Sequence, residues 1–155
     1  VKDLINTVCD ASYNCSPENV SKAKLRGLTL AYGDQIAGFN VDASVDFLDA
    51  RDADTDLRLP RRASRQAALK VSRPIGAWVV GGEWQGVGYR YDSSDETRRM
   101  GGYGLVHAFA RYAVNKDWSV EGRINNLGDK KYETAWGYGS VGTDVFVGVR
   151  YAPAK

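Results

Sequence analysis

The chain has little of what most functional classes require. Its 155 residues include one histidine, two cysteines, one methionine and four prolines. A single histidine, His107, makes neither a zinc site nor a catalytic triad. The net charge is only +2, too small for a nucleic-acid-binding surface, so no nucleic-acid partner is expected. No apolar run approaches the roughly 20 residues of a transmembrane helix. No segment keeps apolar residues at three-and-four spacing over three turns either, so no helix is expected. Gly101 and Gly102 are not followed by a helix that could cradle a phosphate. Acids such as Glu121 and Asp129 lack a nucleophile or metal to orient them, so no catalytic residue is assigned and the chain reads as a non-enzyme.

What is abundant is glycine, at 17 residues, together with nine tyrosines and four tryptophans, a bias toward turns, strands and interfacial rings. Between Phe39 and Phe47 the alternation is unbroken: Phe39, Val41, Ala43, Val45 and Phe47 share one face, and Asn40, Asp42, Ser44 and Asp46 the other. An aromatic brackets each end of the apolar row. At about 3.3 Å per residue and a tilt near 40°, that row spans about 20 Å, close to the apolar band of an outer-membrane barrel. The totals of 43% hydrophobic and 26% charged residues look soluble, but a polar lumen dilutes a barrel's average in the same way.

Other segments follow the pattern. Trp118, Val120 and Ile124 alternate with Glu121 and Arg123, which are expensive in lipid and cheap in a wet lumen; Val145, Val147 and Val149 alternate with Phe146 and Arg150. Leu69 and Val71 precede Pro74, and Trp78, Val80 and Trp84 follow it; Val106, Ala108, Ala110 and Tyr112 form a weaker face. Turn residues divide the chain into about eight strands, with short connections at Gly33–Gln35, Arg73–Gly76 and Asn115–Asp117. Long connections surround Cys9 to Pro17, Asp49 to Pro60, Asp92 to Arg99 and Gly128 to Gly142. Short turns on one rim and long loops on the other predict an all-β fold, an antiparallel up-and-down transmembrane β-barrel segment. The last strand, Val145 to Tyr151, then ends in the periplasm, and Val1 falls inside a rising strand. The start Val1–Ile5 lacks the basic and apolar stretches of a secretory leader, so the expectation is a removed leader or the tail of a longer chain.

Cys9 and Cys15 fall in a loop expected outside the cell, reached through an oxidising periplasm, with spacing that permits a disulfide. Asp52, Asp54 and Asp56 alternate as calcium ligands can, but without the glycine turn or closing glutamate of a calcium loop they read first as a solvated acidic loop. Arg61, Arg62, Arg65, Arg98 and Arg99 gather at the expected outer rim, either as charges that keep loops wet or as partners for lipopolysaccharide phosphates. His107 is expected to face the lumen.

The stretch Arg123 to Glu133, which contains Asn126-Leu127-Gly128-Asp129-Lys130-Lys131-Tyr132, and the following Gly137-Tyr138 resemble the ending of TonB-dependent outer-membrane receptors. Ala23-Lys24-Leu25-Arg26-Gly27 resembles an earlier strand of the same family. Asp46 to Asp52, Arg61-Arg62-Ala63, Met100-Gly101-Gly102 and Lys131 to Thr134 are similar, in order and spacing, to the family's cobalamin (vitamin B12) branch; iron-siderophore receptors share much of this scaffold. The resemblance implies a barrel of about 22 strands whose N-terminal plug contacts TonB, and it makes residues 1–155 the C-terminal portion, without plug or earlier strands. It implies an outer-membrane location, cobalamin or an iron siderophore as substrate, and outer-membrane lipid as surroundings; some cobalamin receptors also bind calcium at their outer face. Two departures stand out. The chain ends Tyr151-Ala152-Pro153-Ala154-Lys155 rather than at a terminal aromatic, and Gly128 stands where many members carry phenylalanine. A free-standing eight-stranded barrel is a competing reading. A soluble lipocalin-type barrel is a second, but it leaves Phe39, Phe47, Trp78, Trp84 and Trp118 on one exposed surface.

Overall fold

A computed structural model describes residues 2–9 and 14–153, with residues 2–9, 15 and 18–21 described by backbone alone. In chain order the strands are β1 (Lys2–Cys9), β2 (Cys15–Ile36), β3 (Phe39–Asp52), β4 (Arg65–Ile75), β5 (Trp78–Val87), β6 (Arg90–Tyr91), β7 (Arg99–Met100), β8 (Tyr103–Ala113), β9 (Trp118–Asn125), β10 (Glu133–Ala135), β11 (Tyr138–Gly139) and β12 (Asp144–Tyr151). The described residues contain no helix. Eight of the strands form one sheet in the order β1-β2-β3-β4-β5-β8-β9-β12, and every pairing in it is antiparallel. Two small hairpins, β6-β7 and β10-β11, stand in the connections β5–β8 and β9–β12. The up-and-down order expected from the sequence is therefore present. Among the described residues β1 and β12 do not pair with each other, so the wall is an open arc with two edges.

The three short connections lie on one rim, as expected, but two are displaced from their expected positions. Gly33, Asp34 and Gln35 do not turn; they continue β2, opposite Asp42, Val41 and Asn40. The reversal is at Ala37-Gly38, where both residues take positive φ (51° and 81°), the geometry whose twist matches a two-residue hairpin. Pro74 likewise stays in β4, opposite Val79, and Gly76 (φ 58°) with Ala77 closes that hairpin. The third turn surrounds Lys116 as expected, where Asn115 Oδ1 accepts the backbone N–H groups of Asp117 and Trp118, both at 2.9 Å.

Register aligns the two faces across the sheet. Leu30, Val45 and Ala67 lie side by side, as do Leu69, Trp84 and Val106, and Ile124 lies beside Val145. Phe39, Val45, Phe47, Trp84, Val120, Ile124, Val145, Val147 and Val149 are all exposed, as a lipid-facing surface requires when no lipid surrounds it. Toward the short-turn rim, Trp78 packs at a tilt against Tyr112 (centroids 4.7 Å apart) and Trp118 against Tyr151 (4.6 Å), and Arg73 lies over Phe39 at 5.0 Å. Phe47 and Trp84 sit toward the long-loop rim, so rings border the apolar band on both sides, where amphipathic rings prefer the membrane interface.

Glycine lets the wall pack its rings. A Cβ on Gly81 would lie 2.5 Å from the Phe109 ring and 2.6 Å from the Val71 carbonyl oxygen. The first contact could relax, but the second is backbone of the neighbouring strand. Gly81→Ala is therefore expected to cost about 1–3 kcal/mol, checked by urea unfolding in bilayers.

Candidate functional site

Two surfaces can meet a solute: the concave face of the wall and the loop cluster above it. On the concave face Arg123 donates to Glu83 at 2.9 Å and to Asn125 at 2.6 Å, Gln85 donates to Glu83 at 2.9 Å, and Asn125 donates to Asp144 at 2.9 Å. This chain of bonds fixes polar heads across β5, β9 and the start of β12. Lys70 lies over the Phe109 ring at 5.3 Å. Lys70, Phe109 and Arg123, together with Glu121 and Phe146, line a hollow of about 480 Å³. Its lining combines fixed charge with aromatic surface.

Above the wall, the β9–β12 connection is held by Asn126, which is buried and takes positive φ (48°). Its Oδ1 accepts Lys130 N–H at 2.9 Å, its Nδ2 donates to Lys130 O at 3.0 Å, and its backbone oxygen accepts Thr143 Oγ1 at 2.8 Å. Asp129 Oδ1 accepts Lys131 Nζ at 3.0 Å and Thr143 N–H at 3.1 Å, and the Lys131 bond first of all holds its carboxyl below the usual carboxylate range. The two ends of the loop are thus tied at its base. Its tip stays open: Trp136, Tyr138 and Val141 are exposed. In the β5–β8 connection, hydrogen bonds from Ser93 and Thr97 push the Asp95 carboxyl down to about 2.

The two loops touch. Buried Arg90, in β6, donates from Nη2 to Glu133 O at 2.6 Å and lies over Tyr103 at 5.4 Å, while Tyr103 packs at a tilt against Tyr132 with centroids 4.2 Å apart. A hollow of about 310 Å³ opens beside this junction, lined by Met100, Tyr103, Lys131, Tyr132 and Trp136 among others. Sequence reasoning missed Arg90, because an isolated arginine among loop residues carries no periodic or motif signal. Asn126 lies inside the motif that carries the family resemblance, but its clamping role depends on the folded loop.

The residues singled out from the sequence fall as follows. Cys9 and Cys15 are directly opposite in the β1–β2 register; their side chains, and hence the expected disulfide, lie outside the described ones. Asp52 Oδ1 accepts the N–H groups of Asp54 (2.8 Å) and Thr55 (3.1 Å), and Asp56 pairs with Arg51 at 3.3 Å. Asp52 and Asp56 are thus engaged within the loop and with Arg51, and among the described residues no three acidic, histidine or cysteine side chains converge on a metal position. His107 is buried on the concave side, where Nδ1 accepts Asn126 N–H at 3.3 Å. All five rim arginines are exposed; Arg61 pairs with Asp92 at 2.7 Å and Arg99 lies over Tyr89 at 4.3 Å.

Comparison with known proteins gives three findings. The family model described as "TonB dependent receptor-like, beta-barrel" matches residues 1–127. A "Vitamin B12 transporter BtuB" from Photobacterium profundum is 36% identical over 116 residues, which are 75% of this chain and 19% of that protein. Among solved structures, the "Copper transporter OprC" superposes with a TM-score of 0.78 at 20% identity over 97% of this chain and 26% of its own. The siderophore receptor PiuA from Acinetobacter baumannii gives 0.69 at 21% identity, over 94% of this chain and 24% of its own. The chain therefore spans about a fifth to a quarter of the length of these relatives.

Proposed function

Because the chain belongs to the TonB-dependent receptor β-barrel family of the outer membrane, we propose that it forms the C-terminal wall and outer loops of a receptor that takes up cobalamin. The observation that carries the substrate is the 36% identity to a vitamin B12 transporter over three quarters of the chain. The siderophore and copper proteins, near 20% identity, support the shared fold alone.

In this reading residues 1–155 supply the last strands of a larger barrel, a role supported by the two unpaired edges of the sheet. Energy coupling to TonB belongs to a plug domain outside these residues. The substrate meets connections 53–64, 88–102 and 126–143, where the exposed rings of Trp136 and Tyr138 offer flat apolar contacts to a large planar ligand. Cys9 and Cys15, opposite in register, close the first outer loop with a disulfide formed in the periplasm.

Equilibrium binding to the purified full-length receptor tests the substrate. Cyanocobalamin should bind and resist displacement by ferric siderophores. Displacement by an iron chelate at equal concentration would assign the receptor to the siderophore branch instead.

A further inference from the structure

A second surface faces outward, away from any transported solute. Just above the apolar band, where β2, β3 and β4 meet the long-loop rim, a hollow of about 670 Å³ opens, bordered by Arg26, Arg58, Arg65, Phe47, Leu28 and Tyr89 among others. Register sets its orientation: Leu28 lies opposite Phe47, Phe47 opposite Arg65, and Arg26 opposite Asp49, so the side chains of Arg26 and Arg65 share the lipid-facing side with Leu28 and Phe47.

The charge there is unbalanced. Asp49 also borders the hollow, but its Oδ1 already accepts Arg51 Nε at 2.8 Å. Among the described residues, neither Arg26 nor Arg65 has a side-chain hydrogen bond or ion pair, and both are exposed. Arg58 lies over the Tyr89 ring at 5.5 Å, so a further guanidinium group is braced at the edge of the hollow. Below the arginines the floor is apolar, with Leu28 57% and Phe47 43% exposed.

We propose that this hollow binds a phosphate of lipopolysaccharide, with Arg26, Arg58 and Arg65 on the phosphate and Leu28 and Phe47 against the adjoining acyl chains. Planar guanidinium forks suit phosphate oxygens. A free phosphate would use the arginines but leave the apolar floor idle, whereas an amphipathic phosphorylated glycolipid of the outer leaflet satisfies both. Of the rim cluster expected from the sequence the site keeps Arg65 and adds Arg26 and Arg58, while Arg61 is engaged by Asp92. It rests on the outer-membrane location and not on which substrate is transported.

The test uses the full-length receptor in lipid nanodiscs, with bound lipid counted by native mass spectrometry. Bisphosphorylated lipid A should outcompete its dephosphorylated form by about tenfold or more. The double variant Arg26→Gln/Arg65→Gln should lose that preference, and Arg98→Gln, away from the hollow, should keep it. Equal retention of both lipids by the unaltered receptor, or an unchanged preference in the double variant, would overturn the proposal. So would displacement of the bisphosphorylated lipid by inorganic phosphate, which would identify a free-anion site. Should the double variant fail to assemble, Arg65→Lys, which keeps the charge and removes the fork, should give an intermediate preference, and a preference unchanged by it would count against the site.

Discussion

Arginine at Val45 is expected to destabilise the barrel in bilayers by about 2–4 kcal/mol, whereas arginine at the adjacent Ser44 should be nearly neutral. Both residues are in β3, hydrogen-bonded between β2 and β4, with Val45 between Leu30 and Ala67 and Ser44 between Ala31 and Ala68. Backbone pairing is thus the same for the two, and only the face differs. Val45 sits within the apolar band bordered by Phe39 and Phe47, so a charge there must leave water for hydrocarbon. Ser44 shares the concave face with Asp42 and Asp46, where a guanidinium meets water and carboxylates. Unfolding by urea in vesicles measures both; equal costs would reject the assignment of faces.

The second large effect is expected from Asn126→Ala, at about 2–4 kcal/mol. Asn126 is 4% exposed, and its side-chain amide serves both backbone groups of Lys130. Truncation removes both bonds that tie Lys130 to the loop base, each contributing about 0.5–1.5 kcal/mol, and empties the space of a buried side chain. Asn126 also holds a positive φ, which alanine tolerates less well than asparagine. The same unfolding assay measures the loss. Hydrogen exchange should show it concentrated in residues 126–143, and protection there equal to that of the unaltered protein would refute the clamp.

Much of the wall was legible in sequence because a lipid-facing strand leaves a period-two record, as from Phe39 to Phe47 and from Val145 to Val149. The turns were less so. Gly33 and Asp34 are turn formers by type, yet they remain in β2, where Asp34 accepts hydrogen bonds from Tyr32 Oη (3.0 Å) and from the Gln35 N–H (2.7 Å). The reversal goes to Ala37-Gly38, where a two-residue turn of type I′ needs two adjacent positive φ angles and glycine supplies one without strain. The loop architecture was hardest to read. Strands β6 and β7 are two residues each, too short for any periodicity, and their position depends on contacts such as Arg90 to Glu133 that join residues 43 apart. Sequence motifs did mark the stretch that holds Asn126 and Asp129, through resemblance rather than through pattern.

Uptake of labelled cobalamin, by cells in which this full-length receptor is the sole route for vitamin B12 across the outer membrane, tests the central claim most directly. Cells with the intact receptor should accumulate the label only while TonB is energised. Shortening residues 88–102 or 126–143 should reduce accumulation while the barrel remains in the membrane. Accumulation of a ferric siderophore with none of cobalamin, or cobalamin uptake that survives loss of both loops, would contradict it.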